Sequence, residues 1–314
     1  MAAINSLAFR SELTNALDKA LVQKSVTSFL LDNVFRAKFI GTKTVLIPDI
    51  DFVGLGDYGR DTGFPKGAVT ITQKPYVLTQ DRGRTFIIDR EDMDEVGISG
   101  LAGQIMGEFV RTKVVPEVDA YTLSNMAGIA TTASQTETLG ASETLDSNCF
   151  KLLSKLINDV CSVNGYDGEL VAFLNPVFYS ALMATPELSR RLRIDEFKKG
   201  EISIKVNKLN NCSLLPVPDA RMKTEYEYDA GATTSAGGFA PAEDAANIGA
   251  IVMPKDAAGL VKKTEKIRVF DPDTHQDMDA YKFDYRLYYD ALVKNSMKET
   301  IFAYTYEDST GVGA

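Results

Sequence analysis

The sequence predicts an α+β protein on three observations. A long helical stripe runs through residues 98–128, helices and strands alternate between about 147 and 258, and residues 264–306 are rich in β-branched and aromatic side chains. The 314 residues suffice for one large domain or two ordinary ones. Apolar residues make up 45% and charged residues 25%, the balance of a soluble globular chain.

Residues 11–31 carry Leu13, Leu17, Ala20 and Leu21 at helical spacing, with Ser11 as cap candidate. Thr44–Ile47 reads as a strand, and Pro48 and Gly54 punctuate the stretch after it. Residues 54–67 hold five glycines and one proline, which predicts a loop or a loose hairpin arm. Ala68–Thr79 and Arg84–Asp89 then read as strands, with Gln80-Asp81-Arg82-Gly83 as the turn between them. Residues 50–90 together predict an extended β-arm with too few large apolar residues to hold a core of its own. Such an arm has to lie on something else.

In the long helix, Ile98, Leu101, Ala102, Ile105, Met106, Phe109 and Val110 form one broad apolar stripe. Pro116 should kink or divide it; unbroken, it would be about 45 Å long. Residues 131–146, rich in Thr, Ser, Ala and Glu, read as a linker. A second helix comes next, capped by Asp146 or Ser147, with Leu152, Leu153, Leu156, Ile157 and Val160 on its apolar face and Asn164-Gly165 as its stop. Leu170–Leu174 is a buried strand, and Asn175-Pro176 opens a helix through Ala184. Strands are expected at 202–206, 212–217 and 248–253, with a mobile Gly/Ala/Ser/Thr loop at 230–247. Lys266–Phe270, Tyr281–Tyr289 and Thr300–Tyr306 complete the set of strands.

A net charge of −9 with scattered lysines and arginines speaks against a basic face that grips nucleic acid through its phosphates. Cys149, Cys161 and Cys212 have no CxxC spacing and read as buried free thiols. No run of 18 or more apolar residues is present for a membrane span. Met1–Arg10 lacks the basic region and apolar core of a signal peptide, so the protein is expected to be made inside a cell.

Three motifs fail on context. Gly54-Leu55-Gly56-Asp57-Tyr58-Gly59 fits the dinucleotide fingerprint, but Arg60-Asp61-Thr62-Gly63-Phe64-Pro65 cannot start the helix that would hold a pyrophosphate. Asp271–Asp277 is acidic, yet Gln276 and Lys282 stand where a calcium hand needs glycine and glutamate. His275, the only histidine, sits in that turn with no nucleophile near it in sequence. No pair of carboxylates is marked out, so no catalytic, cofactor or metal residue is assigned. Asp81-Arg82-Gly83-Arg84 and Asp89-Arg90-Glu91-Asp92 interleave both signs, as on a solvated hairpin or on a partner-facing surface whose charges set docking register.

Four segments, in this order and spacing, carry a resemblance. They are Asp81–Asp89 with Asp92 before the long helix, Val115-Pro116-Glu117-Val118-Asp119-Ala120-Tyr121 inside it, Leu214–Met222, and Phe270-Asp271-Pro272 leading to Tyr285–Val293. Together they resemble the major capsid proteins of tailed bacteriophages, the HK97-like fold. The resemblance implies an N-terminal arm (1–38), an extended β-loop (50–90), a discontinuous peripheral domain (39–49, 91–146 and 259–314) and an axial domain (147–258). It implies a structural protein rather than an enzyme, with many copies associating as pentamers and hexamers into an icosahedral shell around double-stranded DNA. Portal and scaffolding or decoration proteins would be the other partners, with the DNA held without sequence-specific binding. Assembly would take place in the bacterial host cytoplasm and the product would be the virion. Asp57, Tyr58, Arg60, Arg82, Arg84 and Asp89 are the candidate intersubunit contacts. Two competitors are an encapsulin-like compartment with a protein cargo and an enzyme with a carboxylate-based site in the axial lobe.

Overall fold

The computed structural model describes residues 25–31, 38–41, 43–61, 63–91, 101–139, 145–165, 168–185, 193–199, 202–233, 236–273 and 278–307. Strands β1 (Lys38–Ile40), β2 (Thr44–Phe52), β3 (Val69–Val77) and β4 (Gln80–Asp89) precede the long helix. That helix is built as α1 (Leu101–Phe109), a π turn (Val110–Val114) and α2 (Val115–Thr132). Then come β5 (Thr136–Glu137), α3 (Leu145–Asn164), β6 (Leu170–Leu174), α4 (Pro176–Ala184), β7 (Arg193–Lys199), β8 (Ile202–Leu209) and β9 (Cys212–Pro216). β10 (Tyr226–Asp229), β11 (Gly238–Pro241), β12 (Asn247–Pro254), β13 (Ala258–Phe270), β14 (Ala280–Val293) and β15 (Phe302–Tyr306) complete the chain.

The centre is a mixed seven-stranded sheet in the order β5-β15-β12-β6-β9-β8-β7. Its strands alternate between two cores, as the period of two demands. Leu170, Ala172, Leu174, Ala250, Val252 and Tyr304 face α3 and α4, against Leu153, Leu156, Val160, Phe178 and Leu182. Val171, Phe173, Ile251, Met253 and Ala303 face the opposite way, toward Leu123, Met126, Ala127 and Ala130 of α2. A register shift at Gly249 brings Ile248 to that second side as well. A Cβ at Gly249 would lie 2.4 Å from the Tyr304 ring, so only glycine lets the two strands close there. The result is a helix–sheet–helix sandwich.

Local chemistry explains the helix ends. The Asn175 side chain accepts from the amides of Val177 and Phe178 at 2.7 and 3.2 Å, and Pro176 occupies the first turn, where its missing donor costs nothing. α3 stops at Gly165, which takes a φ of +86° and donates to the Cys161 carbonyl at 2.8 Å. Pro116 does divide the long helix, but one turn early: the widened π turn at Val110–Val114 absorbs the ring that would clash with the preceding carbonyls.

Several expectations are corrected. Gln80–Gly83 is no turn: it opens the continuous strand β4, which pairs with β14 and not with β3. Gly83 serves close approach, since a Cβ there would stand 2.8 Å from the Tyr285 carbonyl oxygen. Within the expected loop at 230–247 lies the strand β11, which pairs with β10 just before it; the other described residues up to the start of β12 carry no strand. The supposed linker at 131–146 contains the end of α2 and β5, which pairs in parallel with β15. Residues 28–31 form a 3₁₀ turn instead of the end of an α-helix; the rest of that expected helix, 11–24, lies outside the described residues, as does His275. β15 pairs with β12, so by hydrogen bonding Phe302–Tyr306 and Thr136–Glu137 belong with the strands expected of the axial unit.

Candidate assembly surface

β2 and β3 form an antiparallel hairpin, with β1 beside β2, that leaves the body at Thr44 and Val77. Residues opposite each other in such a pair share a face. One face carries Val45 and Ile47 at the root and Asp49, Asp51, Thr70, Thr72 and Lys74 farther out. At the root it is buried, with Val45, Ile47 and Leu78 packed on Val261, Tyr288 and Leu292. Farther out it is polar, with Lys74 paired to Asp49.

The other face exposes apolar side chains at its outer positions, with the exposed Gln73 nearer the root as a polar exception. Phe52 lies opposite Val69 and Ile50 opposite Ile71, and their exposures are 69, 58, 52 and 66%. Beyond them the tip exposes Val53, Leu55, Tyr58 and Phe64, with the Tyr58 and Phe64 rings 4.9 Å apart. Gly59 and Gly63 close the tip with paired backbone hydrogen bonds of 3.2 and 2.8 Å, and Gly63 takes a φ of +77°. This bridge stands where a nucleotide site would need a helix. Among the described residues, 11 of the 15 exposed large hydrophobics lie between residues 39 and 77. Such concentration on one arm marks an interaction surface.

The sequence-selected residues divide into two groups. Asp57, Tyr58 and Arg60 are exposed at the tip, and Asp89 is exposed at the end of β4. Arg82 and Arg84 work within the subunit. Arg82 Nε donates to Glu117 of α2 at 2.7 Å, its other nitrogens donate to the carbonyls of Asp229 and Gly238 at 2.8 and 2.9 Å, and its guanidinium lies 5.6 Å from the Tyr228 ring centre. Arg84 donates to the Ala236 carbonyl at 2.8 Å. These contacts hold the β10–β11 hairpin on β4. The apolar face built by Ile50, Phe52, Val69 and Ile71 escaped sequence reasoning. Its signal, alternation in both strands, was legible only once β3 was paired with β2.

Beside the apolar core at the arm's root, the buried Asp290 gathers polar partners, the exposed Thr79 among them. Thr79, where the chain passes from β3 to β4, donates from its amide to Asp290 Oδ2 at 2.9 Å and from its hydroxyl at 3.1 Å. Tyr121 of α2 donates to Asp290 Oδ1 at 2.7 Å and lies 2.9 Å from the Thr79 hydroxyl. Burial pushes the Asp290 carboxyl up from its usual range, against the lowering effect of the Tyr121 and Thr79 hydrogen bonds. Burial likewise pushes the Tyr121 phenol up.

Among the described residues no group of three or more His, Cys, Asp or Glu side chains could hold a metal ion. No helix among them is long and apolar enough to cross a membrane.

No family model matches the chain, and no curated protein matches it in sequence. Solved structures do match. The capsid of the cyanophage P-SCSP1u is 14% identical over 85% of this chain and 84% of that one, with a TM-score of 0.56. A virus-like particle from Pyrococcus furiosus is 13% identical over 94 and 99%, with a TM-score of 0.53. The mature capsid of bacteriophage PhiM1 is 12% identical over 84 and 82%, with a TM-score of 0.52. At this level of identity the likeness is one of fold, and it runs through most of each chain: this protein has the α+β fold of the HK97-like capsid shells.

Proposed function

We propose that this chain is the major capsid subunit of a tailed phage or prophage, a structural protein whose copies close into an icosahedral shell around double-stranded DNA. The observation that carries the reading is the one-faced arm. A sheet face of exposed Phe, Ile and Val reaches away from a body that already has two filled cores. Full burial of each such side chain stabilises by roughly 1.5–3 kcal/mol, and an occupant repeated around a shell supplies that burial at every subunit. The same proposal divides the chain into an arm made of the β2–β3 hairpin and its tip, a peripheral unit built on the long helix and the β13–β14–β4 sheet, and an axial unit within 147–258 whose sheet β5 and β15 extend. Asp57, Tyr58 and Arg60 at the tip, with Asp89, are proposed to set the docking register. Arg82 and Arg84 are proposed to shape the surface that a neighbour meets. Assembly in the bacterial cytoplasm, pentamers and hexamers, and portal and scaffolding or decoration partners belong to the same proposal.

A second reading has its own support. The Pyrococcus furiosus virus-like particle matches over nearly its whole length, which favours a compartment shell of the encapsulin kind holding a protein cargo. Electron microscopy of the expressed full-length chain, followed by nuclease treatment of purified particles, tests both. Closed shells with nuclease-protected DNA support the first reading, and closed shells with a co-purified protein and no DNA support the second. A monodisperse monomer at high concentration across a range of salt, with and without a co-expressed scaffold, would sink both.

A further inference from the structure

The arm root is pinned by one residue from the far end of the chain. β3 ends its pairing with β2 at Val77 opposite Thr44, and β4 begins its pairing with β14 at Gln80 opposite Tyr289. Only Leu78 and Thr79 carry the chain from one sheet to the other. Leu78 is 2% exposed, donates to the Lys43 carbonyl at 2.8 Å and fills the small core under the root. Thr79 gives both of its donors to Asp290 Oδ2. The second carboxylate oxygen, Oδ1, takes the Tyr121 phenol at 2.7 Å and the Ala291 amide at 2.8 Å. α2 holds the same place on β14 a second time, through Asn125 Nδ2 donating to the Ala291 carbonyl at 2.8 Å. No ion pair among the described residues involves Asp290. All of its affinity therefore goes to four donors that come from the arm root, the long helix and its own strand.

We propose that Asp290 is a positioning residue for the arm: through Thr79 and Tyr121 it fixes the direction in which the β2–β3 hairpin leaves the body to the axis of the long helix. The body below the pin is two filled cores and the root a third, small one that holds Leu78, so on the β3 side Thr79 is the transfer residue left for Asp290 to fix. A carboxylate suits this position because it accepts from all four donors at once, and hydrogen bonds to an ionised acceptor are about twice as strong as neutral ones. The isosteric amide has one oxygen fewer and turns an NH₂ toward groups that can only donate, such as the Thr79 and Ala291 amides. The angle at which one subunit reaches another would thus be set inside the subunit. That last step rests on the shell reading; the pin itself does not.

The test uses the full chain. Spin labels on Asp57→Cys at the tip and Val163→Cys on α3, both exposed, report the tip-to-body distance in unassembled subunits, the native cysteines being buried. Asp290→Asn should broaden the distance distribution roughly twofold while the unfolding temperature stays near that of the parent, because local freedom and global stability are separate quantities. Tyr121→Phe and Thr79→Val, which each remove one hydroxyl, should broaden it less. An unchanged distribution in folded Asp290→Asn overturns the proposal. If Asp290→Asn does not fold, unchanged distributions in both hydroxyl variants overturn it instead. Particle diameters are then measured by electron microscopy, and a wider spread for Asp290→Asn is expected. Shells of parental diameter from a subunit with a loosened arm would overturn the link from pin to shell geometry. Absence of any particle from the parent would count against the shell reading and leave the distance measurement to judge the pin.

Discussion

Asp119 has no exposed surface, yet its two oxygens accept from two segments distant in sequence. The hydroxyls of Ser25 and Thr27 donate to Oδ1 at 2.6 Å each, the amides of Val26 and Thr27 donate at 3.1 Å, and Arg221 donates to Oδ2 at 2.8 Å. The carboxylate thus ties the segment before the 3₁₀ turn to α2 and to the loop after β9. Removing one member of a buried ion pair leaves the other charge without compensation, which costs about 3–5 kcal/mol. Asp119→Ala should lower the unfolding free energy in a urea titration by that amount and speed hydrogen exchange at the Val26 and Thr27 amides. A loss below about 1 kcal/mol, the worth of a single ordinary hydrogen bond, would show that the segment does not depend on it. In sequence, Asp119 is one acidic residue among 43, and nothing local distinguishes it, because its partners lie about 90 and 100 positions away.

Elements whose signals are local were legible; those held by distant partners were not. The helices at 145–164 and 176–184 were legible from their apolar spacing, the Asn-Pro cap and the Asn-Gly stop. The strand β4 was hidden because Asp-Arg-Gly-Arg carries turn chemistry, while the reason for its glycine is the backbone of Tyr285, some 200 positions on. The β10–β11 hairpin was hidden likewise: its Gly and Ser content reads as loop, and it is held by Arg82 and Arg84. β7 and β5 gave no pattern that stood out from their surroundings. The arm was legible as an element without a core, but not its sidedness, and sidedness makes the sharper prediction. Phe52→Asp or Ile71→Asp should change subunit stability by no more than about 0.5 kcal/mol, as exposed positions do. Each should raise the concentration needed for particle formation roughly tenfold or more, the equivalent of losing one buried apolar side chain. Thr72→Lys, on the other face and opposite Asp49, should do neither. Light scattering across a dilution series separates these cases, and equal effects from both faces would remove the sidedness argument.

For the whole molecule, the excess of 43 acidic over 34 basic residues decides how the subunit meets nucleic acid. Described basic side chains are often taken by acidic partners, as Arg82 is by Glu117, Arg221 by Asp119 and Arg286 by Asp81. Arg286 in turn holds the Asp81 carboxyl below its usual range. A container that fills and empties gains from walls that do not adsorb their contents. Free subunits should therefore bind duplex DNA no more tightly than the micromolar range at physiological salt and without sequence preference, as read by fluorescence anisotropy. Submicromolar binding would mean that the subunit carries a basic face that the net charge conceals.

The three thiols have a bearing on the life of such a particle outside the cell. Cys149, Cys161 and Cys212 are all buried in the layer between the seven-stranded sheet and the helices α3 and α4. Burial pushes the Cys161 and Cys212 thiols up, away from the thiolate form that oxidants attack. A shell built from this subunit would pass from a reducing cytoplasm to aerated water with these three thiols unchanged. Reduction or oxidation of these three cysteines would then be no handle for opening it.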